Sequence, residues 1–137
     1  PSGVNVTAVS RAISNCDLVV SVDGVVELNG SVFKTDDLIR WSASNGFTLY
    51  QATGLNTHID ALHILDDNQL LLSVKKTISV DNNQVNDEAI IEWSGGSYQL
   101  FPFNPAAVDD SWGSADLGAL WVQATADDDL IFRNGFE

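Results

Sequence analysis

"LVVSV" at Leu18 to Val22 returns as "LLLSV" at Leu70 to Val74, and "DLIRWS" at Asp37 to Ser42 returns as "AIIEWS" at Ala89 to Ser94, each 52 residues later. Between these anchors Val26 falls on Ile78, Leu28 on Val80, Phe33 on Val85 and Asp36 on Glu88 without a gap. After the tryptophans a one-residue deletion brings "GFTLY" at Gly46 to Tyr50 onto "GSYQLF" at Gly96 to Phe101. A period of this length constrains the fold strongly, because each copy is one supersecondary unit that must bury its apolar surface against a neighbour. A third, truncated unit follows: "LGALWVQATADDDLIF" at Leu117 to Phe132 is similar to "IDALHILDDNQLLL" at Ile59 to Leu72.

Each unit reads as strands. Its apolar runs are short, rich in Val, Ile, Leu and aromatics, and bounded by Asn, Asp, Gly and Ser. In the first unit strands are expected at Thr7 to Ile13, Leu18 to Val22, a hairpin over Val25 to Phe33, Leu38 to Ser42 and Phe47 to Gln51. Asn29-Gly30 should turn that hairpin, since both residues accept the positive φ of a type I′ turn. The second unit repeats the pattern with Ala61 to Leu65, Leu70 to Val74, Thr77 to Val85 around "DNN", Ala89 to Ser94 and Tyr98 to Phe101. The third supplies Ala119 to Gln123 and Leu130 to Phe132.

About 50 residues with four main strands is the period of a propeller blade. The expected fold is therefore all-β and antiparallel, a single domain over residues 1 to 137, made of propeller-blade-like repeats near 7 to 56 and 59 to 108 with a half repeat near 117 to 137. A two-sheet β-sandwich is the alternative. Closed propellers have at least four blades, so two and a half units imply chains pairing into one ring or adding head to tail.

Composition limits the partners. Nineteen Asp and Glu stand against six Lys and Arg, a net charge of -13, on a chain that is 45% hydrophobic and so able to fold. Such a field repels phosphate backbones and anionic headgroups, which argues against nucleic acid and membrane surfaces. It suits cations, Ca2+ among them, and solubility in salty surroundings. No apolar run reaches a membrane span, and a start at Pro1 implies a processed or trimmed chain. Cys16 is the lone cysteine and is expected to pack as a small buried hydrophobe.

"HIDALHILDDNQLLLSV" followed by "DEAIIEWSGGSYQLF" resembles a β-repeat of secreted bacterial proteins of unknown function, and the closing "LIFRNGFE" is similar to an ending shared by exported gammaproteobacterial proteins. The resemblance covers most of the chain from Asp17 onward and implies export, hence a secreted or cell-surface location. It brings no catalytic residue and no substrate. The chain departs from the commoner pattern in having "YQATGLNTH" and "FPFNPAAVDD" where a glycine-rich segment is usual.

Among candidate sites, His58 and His63 are an odd number of residues apart, so one strand would point them to opposite faces and they cannot easily share a metal. Ungapped alignment puts His63 on Arg11, an exposed polar slot. Trp41 and Trp93 are equivalent and mark a repeated core layer; Arg40 and Glu92, also equivalent, could meet between neighbouring units. Trp112, in "DDSWGSAD", is the one tryptophan outside an apolar run and the candidate ligand-binding aromatic. Asp81, Asn83 and Asp87 come nearest to calcium ligands, though without the Asp-x-Asp-x-Asp-Gly loop. Leu130, Ile131, Phe132 and Phe136 are the candidate assembly residues, on a hairpin whose edges invite another strand.

No nucleophile elbow, His-Glu-x-x-His helix, phosphate loop or paired-cysteine site occurs, and no enzyme is expected. The reading is a secreted, non-catalytic structural or adhesive β-repeat protein that self-associates as a homo-oligomer or polymer, with no cofactor. Two alternatives stand beside it. One is a calcium-assisted module that binds extracellular glycan; the other is a hydrolase with paired carboxylates such as Asp81 and Asp87.

Overall fold

The computed structural model describes residues 3–12, 14–80, 82–87 and 89–101, together with the backbone of 120–124 and 130–134. Every regular element among them is a strand. The first unit comprises β1 (Val6–Arg11), β2 (Leu18–Val22), the hairpin β3 (Val26–Leu28) and β4 (Ser31–Phe33), then β5 (Asp37–Ser42) and β6 (Gly46–Ala52). The second comprises β7 (Ile59–Asp66), β8 (Gln69–Val74), the hairpin β9 (Ile78–Val80) and β10 (Asn83–Val85), then β11 (Ile91–Ser94) and β12 (Ser97–Leu100). A last antiparallel hairpin joins β13 (Leu120–Ala124) to β14 (Leu130–Asn134).

Both units have one topology. Antiparallel pairing gives the order β1-β2-β5-β6 in one four-stranded sheet and β7-β8-β11-β12 in the other, with the small hairpin inserted between the second and third strands each time. Local chemistry dictates this. Asn29 and Gly30 take φ of 53° and 77°, the paired positive values of the expected type I′ turn, and Gly95 and Gly96 do the same between β11 and β12 at 58° and 98°. Acidic residues close other turns: Asp37 Oδ2 accepts from Lys34 N at 2.7 Å, and Asp66 Oδ1 from Asn68 N at 2.8 Å. Asp36 is buried because its Oδ2 accepts the Asn56 amide at 3.0 Å while its carbonyl takes the Thr53 hydroxyl at 2.7 Å.

The equivalence of the two first strands is shifted by one residue from the ungapped alignment. Val9 lies opposite Val20, whereas Leu62 lies opposite Leu72, so β7 follows β1 at 53 residues and β8 follows β2 at 52. The turn from β7 to β8 is one residue shorter. His63 therefore takes the place of Ser10, half-buried and opposite Leu71, and not the exposed slot of Arg11. Each first strand also has a register shift at the same point, Val6/Ala8 and Ile59/Ala61, which leaves Thr7 and Asp60 as corresponding extra residues.

Opposite residues in an antiparallel sheet share a side, and alternate residues change sides. One side of the first sheet carries Ala8, Ser10, Val19, Ser21 and Leu38; the other carries Val6, Val9, Leu18, Val20, Ile39 and Trp41. The first set is called the small face below, the second the large face. The main core joins the small face of the first sheet, through Ala8, Val19 and Leu38, to the large face of the second, through Ile59, Leu62, Ile64, Leu70, Leu72 and Ile91. A second cluster folds the β3-β4 hairpin onto the large face of its own sheet, with Val26 and Phe33 against Val22 and Ile39.

Two expectations of burial fail, each for its own reason. Trp93 packs on the main core, but its equivalent Trp41 is exposed, because the large face of the first sheet has no sheet over it among the described residues. Cys16 is exposed at φ 63° in the turn before β2, so it is a turn residue and not a core one.

Candidate functional site

The contact between the two sheets is built from unlike faces, and its polar part is specific. Thr7 and Ser21, side by side at 2.8 Å, both direct their hydroxyls to the backbone carbonyl of Ile59, at 2.6 and 2.8 Å. Ser10 Oγ accepts the amide of Ile64 at 3.0 Å. The small face thus satisfies backbone groups on the outer edge of β7, which water would otherwise have to reach. Further out, the Tyr98 hydroxyl donates to the Thr53 carbonyl at 3.0 Å, and burial pushes its pKa up to about 12, so it stays a donor through the physiological range.

The second sheet repeats these positions with altered chemistry. Asp60 replaces Thr7, Ser73 corresponds to Ser21, and the pair is kept by a Ser73 to Asp60 bond of 2.7 Å. His63 replaces Ser10, and burial lowers its pKa below the ordinary histidine value. Leu71 and Ile90, the counterparts of Val19 and Leu38, are buried as well. β13 runs beside β7 as β7 runs beside β1, so successive first strands are neighbours.

The large faces differ sharply. Ile59, Leu62 and Leu70 are 0%, 3% and 1% exposed, while their counterparts Val6, Val9 and Leu18 are 61%, 57% and 44% exposed. Leu49 and Leu100 are exposed alike at the outer strands, so the difference is confined to the inner three strands. The exposed apolar residues of this face, Val6, Val9, Leu18 and Trp41, lie on β1, β2 and β5 beside the part that the β3-β4 hairpin covers.

Other candidates are separate. Arg40 and Glu92 do not meet: Arg40 makes a two-contact ion pair with Asp17, through Nε and Nη2 at 2.8 Å each, and Glu92 accepts from Gln69 at 3.3 Å. Asn5 donates its backbone and side-chain amides to Asp23, at 2.7 and 2.8 Å, and holds that carboxyl below its usual pKa. Thr57 Oγ1 and His58 Nδ1 are buried without a hydrogen-bond partner among the described residues. A cavity of about 240 Å³ opens between the second hairpin and its sheet, lined by Val80, Val85, Ile91, Tyr98 and Leu100 with Asn83 and Gln99. Val85 stands there where the first unit has the buried Phe33.

Asn83 is exposed on β10 and Asp87 half-buried in the following turn. Their proposed companion Asp81 lies outside the described residues, as do Trp112 and Phe136, and of Leu130, Ile131 and Phe132 only the backbone of β14 is described. Among the described residues no group of three His, Cys, Asp or Glu is placed to hold a metal ion. Of the exposed residues on this face the sequence reading singled out Trp41, as core, and not Val6, Val9 or Leu18. Comparison with protein-family models, with curated proteins and with solved structures finds no match.

Proposed function

We propose that the chain is a non-catalytic structural or adhesive β-repeat protein of the cell exterior, whose units stack as propeller-like blades and which acts by self-association. The observation that supports this most is the unlike-face stacking of the two sheets. A sheet that receives a neighbour on one face and covers the next with the other does not end its own stack, so any finite row finishes in two different faces. Adjacent first strands β1, β7 and β13 are in keeping with blades set around a common axis. The acidic surface suits an exported protein that must remain dispersed until such faces meet. Absolute mass in solution, followed by light scattering across concentration, is the test. More than one chain per particle is expected; one chain at every concentration overturns the reading.

A further inference from the structure

The cavity behind the second hairpin has a filled counterpart in the first unit. There Leu28, Phe33, Ile39 and Phe47 close the corresponding space, packed in one cluster with Val22 and Val26. In the second unit the same register positions hold Val80, Val85, Ile91 and Tyr98. Neither ring is replaced in kind. Valine stands for the phenyl of Phe33, and Tyr98 packs on the main core, held there by the bond of 3.0 Å from its hydroxyl to the Thr53 carbonyl. A space of about 240 Å³ is left between hairpin and sheet. Its Val85 and Ile91 walls are buried, while Asn83, Gln99 and Leu100 are exposed, so the apolar end lies inward and the polar lining toward solvent.

We infer that this cavity is a binding site for a small uncharged molecule carrying one aromatic ring, which takes the place that the Phe33 side chain holds in the first unit. The first unit supplies the argument for shape, because the same hairpin on the same sheet closes around a phenyl group. Size agrees. An apolar cavity of about 150 Å³ takes up benzene, whereas drug-sized ligands need about 300 Å³ or more, so 240 Å³ suits one ring with a short substituent. Charge narrows the class further. A chain at -13 repels anions, and among the described lining residues no ionised side chain is present to pair with a buried cation. The site does not depend on the self-association proposed above.

The test is titration with benzyl alcohol, followed by amide NMR shifts, of the chain beside Val85→Phe, which gives the second unit the ring of the first. Val85→Leu is a smaller filling that decides the matter if Val85→Phe overpacks the hairpin and does not fold. Saturable shifts are expected at Val80, Val85 and Leu100, with a Kd of about 1 mM. Binding should weaken about tenfold or more in Val85→Phe and about threefold in Val85→Leu, and benzoate should bind the wild type about tenfold less tightly. Shifts that do not saturate, or that centre on Val9 and Trp41 of the open face, overturn the site. Saturable binding that the folded variant leaves unchanged overturns it as well, and benzoate binding as tight as that of benzyl alcohol overturns the restriction to uncharged rings.

Discussion

The two units of this chain share one topology and the same tryptophan, yet one buries the inner part of its large apolar face and the other leaves Val6, Val9, Leu18 and Trp41 exposed beside the Val22 and Ile39 that its own hairpin covers. Leu72 and Val20 hold equivalent places at the centre of those faces; Leu72 is fully buried and Val20 half-buried. The difference lies in neither local sequence nor secondary structure. The second sheet is covered by the small face of the first, whereas among the described residues no sheet lies over the large face of the first. Where one sheet lies on another, burial belongs to the neighbour as much as to the residue.

Truncating the two counterparts gives the largest expected contrast. Leu72→Ala should cost about 3 kcal/mol, the cost of a cavity in a closed core, and Val20→Ala less than about 1 kcal/mol, both read from urea unfolding. Equal losses would remove the asymmetry between the units. Next comes Gly46, whose φ is 67° and whose added Cβ would run into the Asn29 side-chain amide at the tip of the first hairpin. Gly46→Ala should cost about 2 kcal/mol, against about 1 kcal/mol for Gly96→Ala, where nothing lies within reach and only the positive φ is strained. Thermal unfolding of the two variants decides this.

The hydroxyl contact between sheets is smaller again. Thr7→Val/Ser21→Ala removes both donors to the Ile59 carbonyl and should destabilise by about 1 to 2 kcal/mol, with either single change milder because the other hydroxyl remains. Rough equality of one single and the double would show that only one of the bonds matters.

The smallest effect is on pH dependence. Burial lowers the His63 pKa, so the unfolded chain binds the proton more readily than the folded one, and stability falls as the pH drops below about 6.5 toward the folded value. Above that window histidine is neutral in both states and the contribution is fully present. His63→Ser restores the residue of the first unit and should flatten the slope between neutral and mildly acid pH, measured by urea midpoints.

Much of the fold was legible because its signals are local. The repeat, the short apolar runs and Asn29-Gly30 placed the strands and both inserted hairpins to within two residues at each end. What was hidden depends on neighbours or on single-residue register. The one-residue shift of β7 was masked by an alignment anchored on β2 and β8, so His63 was matched to Arg11 in place of Ser10. Trp41 looked like core because its counterpart is core, and sequence equivalence carries no information about what lies over each copy. Cys16 sits beside a strand in sequence but takes a left-handed turn conformation that points it to solvent. Asp37, Asp66 and Asp36 each accept a backbone amide in a turn or loop, a use of acidic residues that the sequence alone does not separate from cation binding.

Two backbone amides in one molecule give the most direct comparison. Ile64 N–H bonds Ser10 Oγ inside the filled interface, and Arg11 N–H holds the same place on the open face. Hydrogen exchange at both, followed by NMR in dilute protein, should show the Ile64 amide at least tenfold slower than that of Arg11. An Arg11 amide as slow as that of Ile64 would contradict the contrast between the covered face and the open one.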